Sequence, residues 1–431
     1  NVAALFDPYD VDDISSLISS YLCDESLRES SLKTSLLQLE NYSWKISAEL
    51  THSAFNETIK MFPEKILMGN DWESIAKRRK KHYELFANNI NKINNSKLCK
   101  NIDLNYMQEI SSCVYLIEEE SDSYGRTGIN LNSNINWMIQ GPVDSNYSLA
   151  ILNRNFSLAL KAKYNNISIK NTEGTGDYKA DYNFLQSCPK FNKLFKEQST
   201  SSSPEIFSRN LYPPRVNDLD SRINILHAYG WEETQFPSDW VKDFNRYLQG
   251  LTVMSTKVKK IMIDNGVSIP IEVCGLGVDQ FNEVLPDPTF EIEAREYKFL
   301  HISSCFPRKG IHILLEAYGK AFTIKDDVSL IIKTFANPHN DVNYLLSEYR
   351  TNSEYPHVLI IEKDLNEFEI KALYKKCDCL VAPSFGEGFG LPLVEAMIND
   401  LPVITTGWGG QSDFCNQQNS WLIDYEYEYA K

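Results

Sequence analysis

From Asn136 onward, short apolar runs alternate with stretches whose apolar residues fall three and four apart. NWMIQG (136–141) is an apolar strand closing on a glycine, and PVDSNYSLAILNRNFSLAL after it reads as a loop feeding an amphipathic helix. SSSPEIF and NLYPPRVND punctuate the later part of this set. RINILHAYG is a strand running into the loop WEETQFP, and LTVMS then VKKIMIDNG is strand followed by helix. A second set opens near Tyr297. KFLHIS is a strand, and Ile311, Leu314, Leu315, Tyr318, Ala321 and Phe322 form one helical stripe. VSLIIK, VLII and CLVAP then read as strands, separated by the helical NYLLSEYR and EFEIKALYKKC. Strands alternating with helices require parallel pairing with helical crossovers. Two such sets predict an α/β protein of two Rossmann-like, doubly wound domains with a ligand cleft between them.

The first 134 residues lack that alternation. Asp12 or Asp13 caps a predicted helix carrying Ile14, Leu17, Ile18, Tyr21 and Leu22, and a second helical run ends around SWKISAELTHSAF. Residues 57–134 read as a helical, then irregular linker. The basic residues at 77–82 are consecutive, so they wrap around a helix and read as solvated surface rather than a membrane-facing stripe. The expected units are therefore 1–56 and 57–134, mainly helical, then an N-terminal domain at 135–290 and a C-terminal domain at 291–431.

Composition narrows the function. A formal charge of −15 over 431 residues argues against nucleic acid as a partner, while leaving room for a local cationic pocket. Nine cysteines without a framework read as reduced thiols, which points to the cytoplasm. No run approaches the roughly 18 consecutive apolar residues of a membrane-spanning helix, and no signal peptide opens the chain.

The chemistry concentrates in SFGEGFGLPLVEAM, residues 384–397. A strand ends at Pro383, Pro392 suits a first helical turn, and Gly386, Gly388 and Gly390 between them allow close backbone approach. A glycine loop opening a helix presents N–H groups and the positive end of the helix dipole, an anion site. Glu387 and Glu395 would repel a phosphate there, so sugar hydroxyls are the better partners for them. Spacing alone equally allows Glu387 to be a loop residue and Glu395 to complement the helix dipole.

EGFGLPLVE followed by AMINDLPVITTGWGGQSDF resembles the signature of retaining family-4 glycosyltransferases of the GT-B fold. GPVDSNYSLAILNR, HAYGWEETQFPSDW, LTVMSTKVKK, VCGLGVDQF and CFPRKGIHILLEAY resemble further segments of that family, so the likeness runs over residues 136–424. The resemblance implies that Glu387 contacts donor-sugar hydroxyls and that the backbone of Gly388, Phe389, Gly390 and Leu391 cradles the diphosphate. Glu395 would bind the nucleotide ribose, and Arg308 and Lys309 would neutralise the departing diphosphate in place of a metal. Gly141 would let the first loop approach donor or acceptor, and His227 would line the cleft near the reacting sugar. It also implies a nucleotide-sugar donor, no cofactor, and a growing or lipid-linked glycan as acceptor, with peripheral contact at the inner face of a membrane. GDP-mannose is the expected donor, on the closeness of RKG and WEETQFP to bacterial O-antigen mannosyltransferases.

Several assignments have a plainer counterpart. Lys309 reads also as a surface lysine, His227 as a satisfied core histidine, Glu232 and Glu233 as solvated acids, Lys333 as a packed strand end and Asp144 as a helix cap. Asp10–Asp12 and Asp218–Asp220 spell an Asp-x-Asp pattern but follow no suitable strand, so no metal role is expected. The sequence also departs from the family. Ser304 stands at the usual arginine position, with Arg308 expected to substitute, and Leu276 replaces the asparagine of the crossover motif. Residues 1–56 resemble the family's C-terminal tail, and the chain begins at Asn1 and reaches Lys431 without a tail there. The expectation is a fragment of a tandem enzyme, in which residues 1–56 either lack their native partner sheet or pack onto the later module. The alternatives to catalysis are a degenerate nucleotide- or glycan-binding module and, on the same fold, a nucleotide-sugar epimerase.

Overall fold

The computed structural model describes residues 42–61, 135–172, 185–196 and 204–427, apart from positions 146, 187 and 222, together with the isolated positions 26 and 33. The helix expected around Ile14–Leu22, the basic run at 77–82 and the Asp10–Asp12 pair lie outside the described residues. So does all of the expected linker beyond Met61.

Two six-stranded sheets, parallel throughout, form the body. The first contains β1 (Asn136–Gly141), β2 (Asn166–Asn171), β3 (Ile206–Arg209), β4 (Ile223–Tyr229), β5 (Gly250–Val253) and β6 (Ile271–Val273), in the order β2-β1-β3-β4-β5-β6. The second contains β7 (Tyr297–Ile302), β8 (Val328–Lys333), β9 (His357–Ile361), β10 (Cys379–Ala382), β11 (Val403–Thr406) and β12 (Trp421–Ile423), in the order β12-β11-β10-β7-β8-β9. Every residue of β4 and β8 is buried, as expected for central parallel strands covered on both faces. The predicted two-domain α/β architecture is the observed one.

Strand order also decides where a ligand can sit. In the second sheet the chain leaves β7 in one direction to build β8 and β9, then returns to β10 on its other side. The loops leaving β7 and β10 therefore diverge and open a crevice at the carboxyl ends of the strands, the usual ligand position in open α/β sheets. Those loops are residues 303–310 and 383–390, which hold Arg308, Lys309 and the glycine run.

Several elements depart from expectation, and β2, β6, β11 and β12 have no predicted strand behind them. EIFSR, read as punctuation, contributes β3, which pairs with both β1 and β4 inside the first sheet. The second helical run does not end near Phe55. It is the helix Trp44–Met61, here α1.

The start of α1 binds both halves of the molecule. The Trp44 backbone N–H donates to Asp279 Oδ1 at 2.7 Å, its indole N–H to Gln280 Oε1 at 2.8 Å, and Ser47 Oγ to the Gly275 carbonyl at 3.0 Å. Any Cβ on Gly277 would fall 2.1 Å from the Trp44 nitrogen, so this crossover segment is shaped around α1. Tyr42, just before it, reaches the other half. Its ring meets Phe414 edge-on at 5.5 Å and Phe389 at 6.0 Å, and its hydroxyl donates to the Asp413 carbonyl at 3.0 Å. Residues 42–54 thus pack against both sheets, and residues 1–41 lie outside the described residues save for two isolated positions.

Trp44 is 5% exposed, so Trp44→Ala empties a buried contact and strands the Gln280 Oε1 acceptor, while the backbone N–H bond to Asp279 survives. The expected loss is ~3–5 kcal/mol of stability, read from the urea midpoint; an unchanged midpoint would mean that α1 does not dock in solution.

Candidate active site

The site is built on the loops leaving β7 and β10. After β7 the chain makes a single 3-10 turn, Pro307–Lys309, whose Pro307 suits its first position. Gly310 follows with φ +69°, where any Cβ would lie 2.2 Å from the Pro383 carbonyl. Glycine is needed here both for the left-handed backbone and for the approach of the two loops. This contact holds Arg308 and Lys309 against the loop after β10.

Their side chains diverge. Lys309 Nζ meets Glu387 Oε1 at 2.5 Å, with side-chain exposures of 14% and 12%. Arg308 Nη1 donates to the Gly386 carbonyl at 2.9 Å, and its Nη2 lies 3.0 Å from Glu232 Oε1, on the loop after β4. Burial alone would raise the Glu387 carboxyl. Lys309 and Arg308, with a hydrogen bond from Ser384, outweigh it and hold the carboxyl below the usual glutamate value. Glu387 is therefore an ionised acceptor at neutral pH. Arg308, expected to substitute for the basic residue absent at Ser304, reaches the same mouth.

The glycine run enters the helix Leu391–Ile398, here α10 by position along the chain, through Gly390 at φ +91°. Pro392 has no N–H and the Leu393 N–H already donates to the Gly390 carbonyl at 2.9 Å, so the first turn presents chiefly the backbone N–H of Leu391. Phe389 turns its ring away into the cluster with Tyr42 and Phe414, at 5.1 Å from the latter, so at this position only backbone is offered to the crevice. The Gly388 carbonyl accepts from Ser255 Oγ at 2.7 Å, and the Gly410 N–H donates to the Glu387 carbonyl at 2.7 Å. Both contacts were missed in the sequence. The Ser255–Thr256 pair ahead of a helix was the only signal, and it reads as a cap; Ser255 does cap, accepting from the Val258 N–H, while also reaching the other sheet.

Glu395 lies one turn into α10, is 8% exposed and accepts from the Tyr374 hydroxyl at 2.8 Å. Burial pushes its carboxyl up to about 7, the tyrosine hydrogen bond opposing. This is more than complementing a helix dipole: an acid sits inside the fold, beneath the crevice, where ionisation is costly.

Other expected site residues lie elsewhere. His227 is wholly buried and stacked on Phe156 at 4.5 Å. Its Nδ1 is 2.6 Å from Ser208 Oγ and its Nε2 is 2.8 Å from Asn153 Oδ1. The amide nitrogen of Asn153 is committed to the carbonyls of Pro142 and Asn210, so its oxygen faces the ring and Nε2 carries the proton. Burial lowers its pKa to about 3. His227 is thus a satisfied core histidine, not a residue lining the cleft. At Gly141 a Cβ would fall 2.2 Å from the Asn210 carbonyl and 2.3 Å from Asn153 Nδ2, so packing within the first sheet accounts for this glycine. Asp144 Oδ2 accepts from the Asn171 side chain, and the N-cap of the following helix is Tyr147. Lys333 is buried, donating to the Thr334 carbonyl. Asp218 pairs with the buried Arg209, which also donates from Nε to Gln140. No group of three metal-capable side chains is found among the described residues.

Residues 287–427 match the sequence model of the family described as Glycosyl transferases group 1. The fold is GT-B: HepE from Anabaena, solved with UDP-glucose, superposes at a TM-score of 0.52 with 14% identity, over 68% of this chain and 86% of that one. The chain therefore has the two-domain GT-B fold, and its C-terminal unit is similar to the group 1 glycosyltransferases. It is 30% identical over 160 residues to the MMP alpha-(1->4)-mannosyltransferase of Mycolicibacterium hassiacum, covering 37% of each chain. It is 29% identical over 126 residues to the O-antigen chain mannosyltransferase RfbU of Salmonella typhimurium, covering 29% of this chain and 34% of the relative. The chain thus spans about a third of the length of these curated relatives. No helix among the described residues is long and apolar enough to cross a membrane.

The raised Glu395 pKa makes a signed prediction. The unfolded carboxyl titrates near ~4.3, so between there and about 7 the folded chain holds a proton that the unfolded chain has lost. Stability is fully present below that window and falls as pH rises through it. Glu395→Gln lacks the effect. Its stability relative to the parent should rise by ~2–3 kcal/mol between pH 5 and pH 8, measured by urea denaturation at each pH. A pH-independent difference would show that Glu395 titrates normally.

Proposed function

We propose that this chain moves a sugar from a nucleotide-sugar donor to a growing polysaccharide or lipid-linked glycan, with the anomeric configuration retained. The observation that carries the reading is the gathering of Arg308, Lys309, Glu387 and the glycine loop at the switch point of the second sheet. The glycine-loop backbone and the Leu391 N–H at the start of α10 suit a diphosphate, and Arg308 and Lys309 stand beside it. Two cations there stabilise the negative charge that builds on the diphosphate as the sugar bond breaks. Glu387, ionised and fixed by Lys309, suits hydrogen bonds from sugar hydroxyls. Glu395 suits the ribose hydroxyls if the nucleotide enters over α10. Retention of configuration and the glycan acceptor rest on the family likeness.

Mannose from GDP-mannose is the favoured donor, supported by the relatives named as mannosyltransferases. The second reading is a module that binds nucleotide or glycan without transfer. Ser304 favours it, as does the engagement of both cations by carboxylates, Arg308 by Glu232 and Lys309 by Glu387.

The test is calorimetric titration with GDP, UDP and ADP, followed by transfer assays with the corresponding mannose and glucose donors. One nucleotide should bind, GDP on this reading. Arg308→Ala should weaken it by ~1.5–3 kcal/mol, and removal of this charge-stabilising group should slow transfer ~100- to 1000-fold. Nucleotide binding with no transfer or donor hydrolysis would favour the binding module, and no nucleotide binding at all would contradict both readings.

A further inference from the structure

The Arg308–Glu232 pair joins the two halves of the molecule, and its setting differs from that of its neighbour. Lys309 and Glu387 both belong to the second sheet's loops and are nearly buried. Arg308 and Glu232 come from opposite domains and are 36% and 35% exposed, so water reaches both. A pair of this exposure is held weakly, because water screens both charges. Arg308 keeps a second anchor, the Gly386 carbonyl, on its own side of the crevice. Its guanidinium carries five N–H donors, so it can exchange one partner while retaining the other.

Backbone contacts place Glu232 at the crevice wall. A Cβ on Gly386 would lie 3.1 Å from the Glu232 carbonyl, and one on Gly388 would lie 3.2 Å from the Trp231 nitrogen. The loop after β4 therefore faces the glycine loop directly, and Glu232 turns its carboxylate onto the cation proposed for the diphosphate. We infer that Glu232 is a positioning residue that fills the anion seat of Arg308 in the empty cleft and is displaced by the donor's diphosphate. This inference rests on the proposed nucleotide-sugar reading.

Two consequences follow from the charges. While Glu232 is in place, the domains are drawn together across Arg308 and the cation is prevented from binding an adventitious anion. A diphosphate carries more charge than one carboxylate and offers two oxygens to the fork of the guanidinium, so it wins the exchange. Glu232 is then released on the opposite wall, free to meet the acceptor side of the cleft. Lys309 and Glu387, being local to one domain, keep their pairing through such a movement.

The experiment is calorimetric binding of GDP, UDP, ADP and inorganic pyrophosphate to the full chain, to Glu232→Gln, to Arg308→Ala and to the double variant. Glu232→Gln should bind the preferred nucleotide and pyrophosphate ~3- to 5-fold more tightly, and this gain should vanish in the Arg308→Ala background. A structural brace would show the reverse, unchanged or weaker binding in Glu232→Gln, and that result overturns the inference. If pyrophosphate shows the Arg308-dependent gain but no nucleotide binds, the anion seat stands and the nucleotide-sugar reading falls. If neither ligand binds any variant, both fall.

Discussion

The ion pair between Lys309 and Glu387, 2.5 Å long and almost closed to solvent, is the constraint around which the second domain's mouth is arranged. Either charge left alone at that depth would cost several kcal/mol, while the two together roughly offset their desolvation. The pair is therefore weak as a source of stability and strong as a condition on geometry. The loops after β7 and β10 must meet for it to form, and they meet because Gly310 lets the backbone of one lie against the Pro383 carbonyl of the other. Loop contact, ion pair and glycine run form one unit. None of the three makes physical sense without the others.

That unit is then fastened from outside. Ser255 reaches across from the first domain to the Gly388 carbonyl, Thr256 donates its N–H to Asp413 at 2.8 Å, and Tyr42 closes the aromatic cluster under Phe389. The result is a backbone loop held on several sides, which suits binding by preorganised donors better than by a mobile loop. The Arg308–Glu232 contact is the exposed member of this set. Exposure makes it the natural place for the cleft to respond to a ligand.

Much of this could be read along the chain. The alternation from Asn136 onward announced two parallel sheets and their central strands, because buried strands such as VSLIIK are apolar throughout and their crossover helices carry clear stripes. The strands β2, β6, β11 and β12 were not read. β3 was hidden because EIFSR is short and follows a serine run, with a buried arginine whose partner, Asp218, is nine residues away. The local pattern of Glu387, the glycines and Pro392 announced a strand–loop–helix turn, and family likeness supplied the roles. His227 misled for a physical reason: a histidine at the end of a strand looks the same whether it faces a cleft or bonds inward to Ser208 and Asn153. Glu232 and Ser255 were illegible as site neighbours because their partners are more than seventy residues distant, and only the packing of one sheet on the other brings them together.

The central claim, that the mouth arranged around the Lys309–Glu387 pair, with Arg308 and the glycine loop, is a diphosphate site, is most directly tested by phosphorus NMR of a bound nucleoside diphosphate. The account predicts that the β-phosphorus resonance shifts on binding, and that Lys309→Met combined with Glu387→Gln, which removes both charges together, abolishes the shift while the chain stays folded. A shift of undiminished size in that double variant would place the phosphates elsewhere and contradict the account.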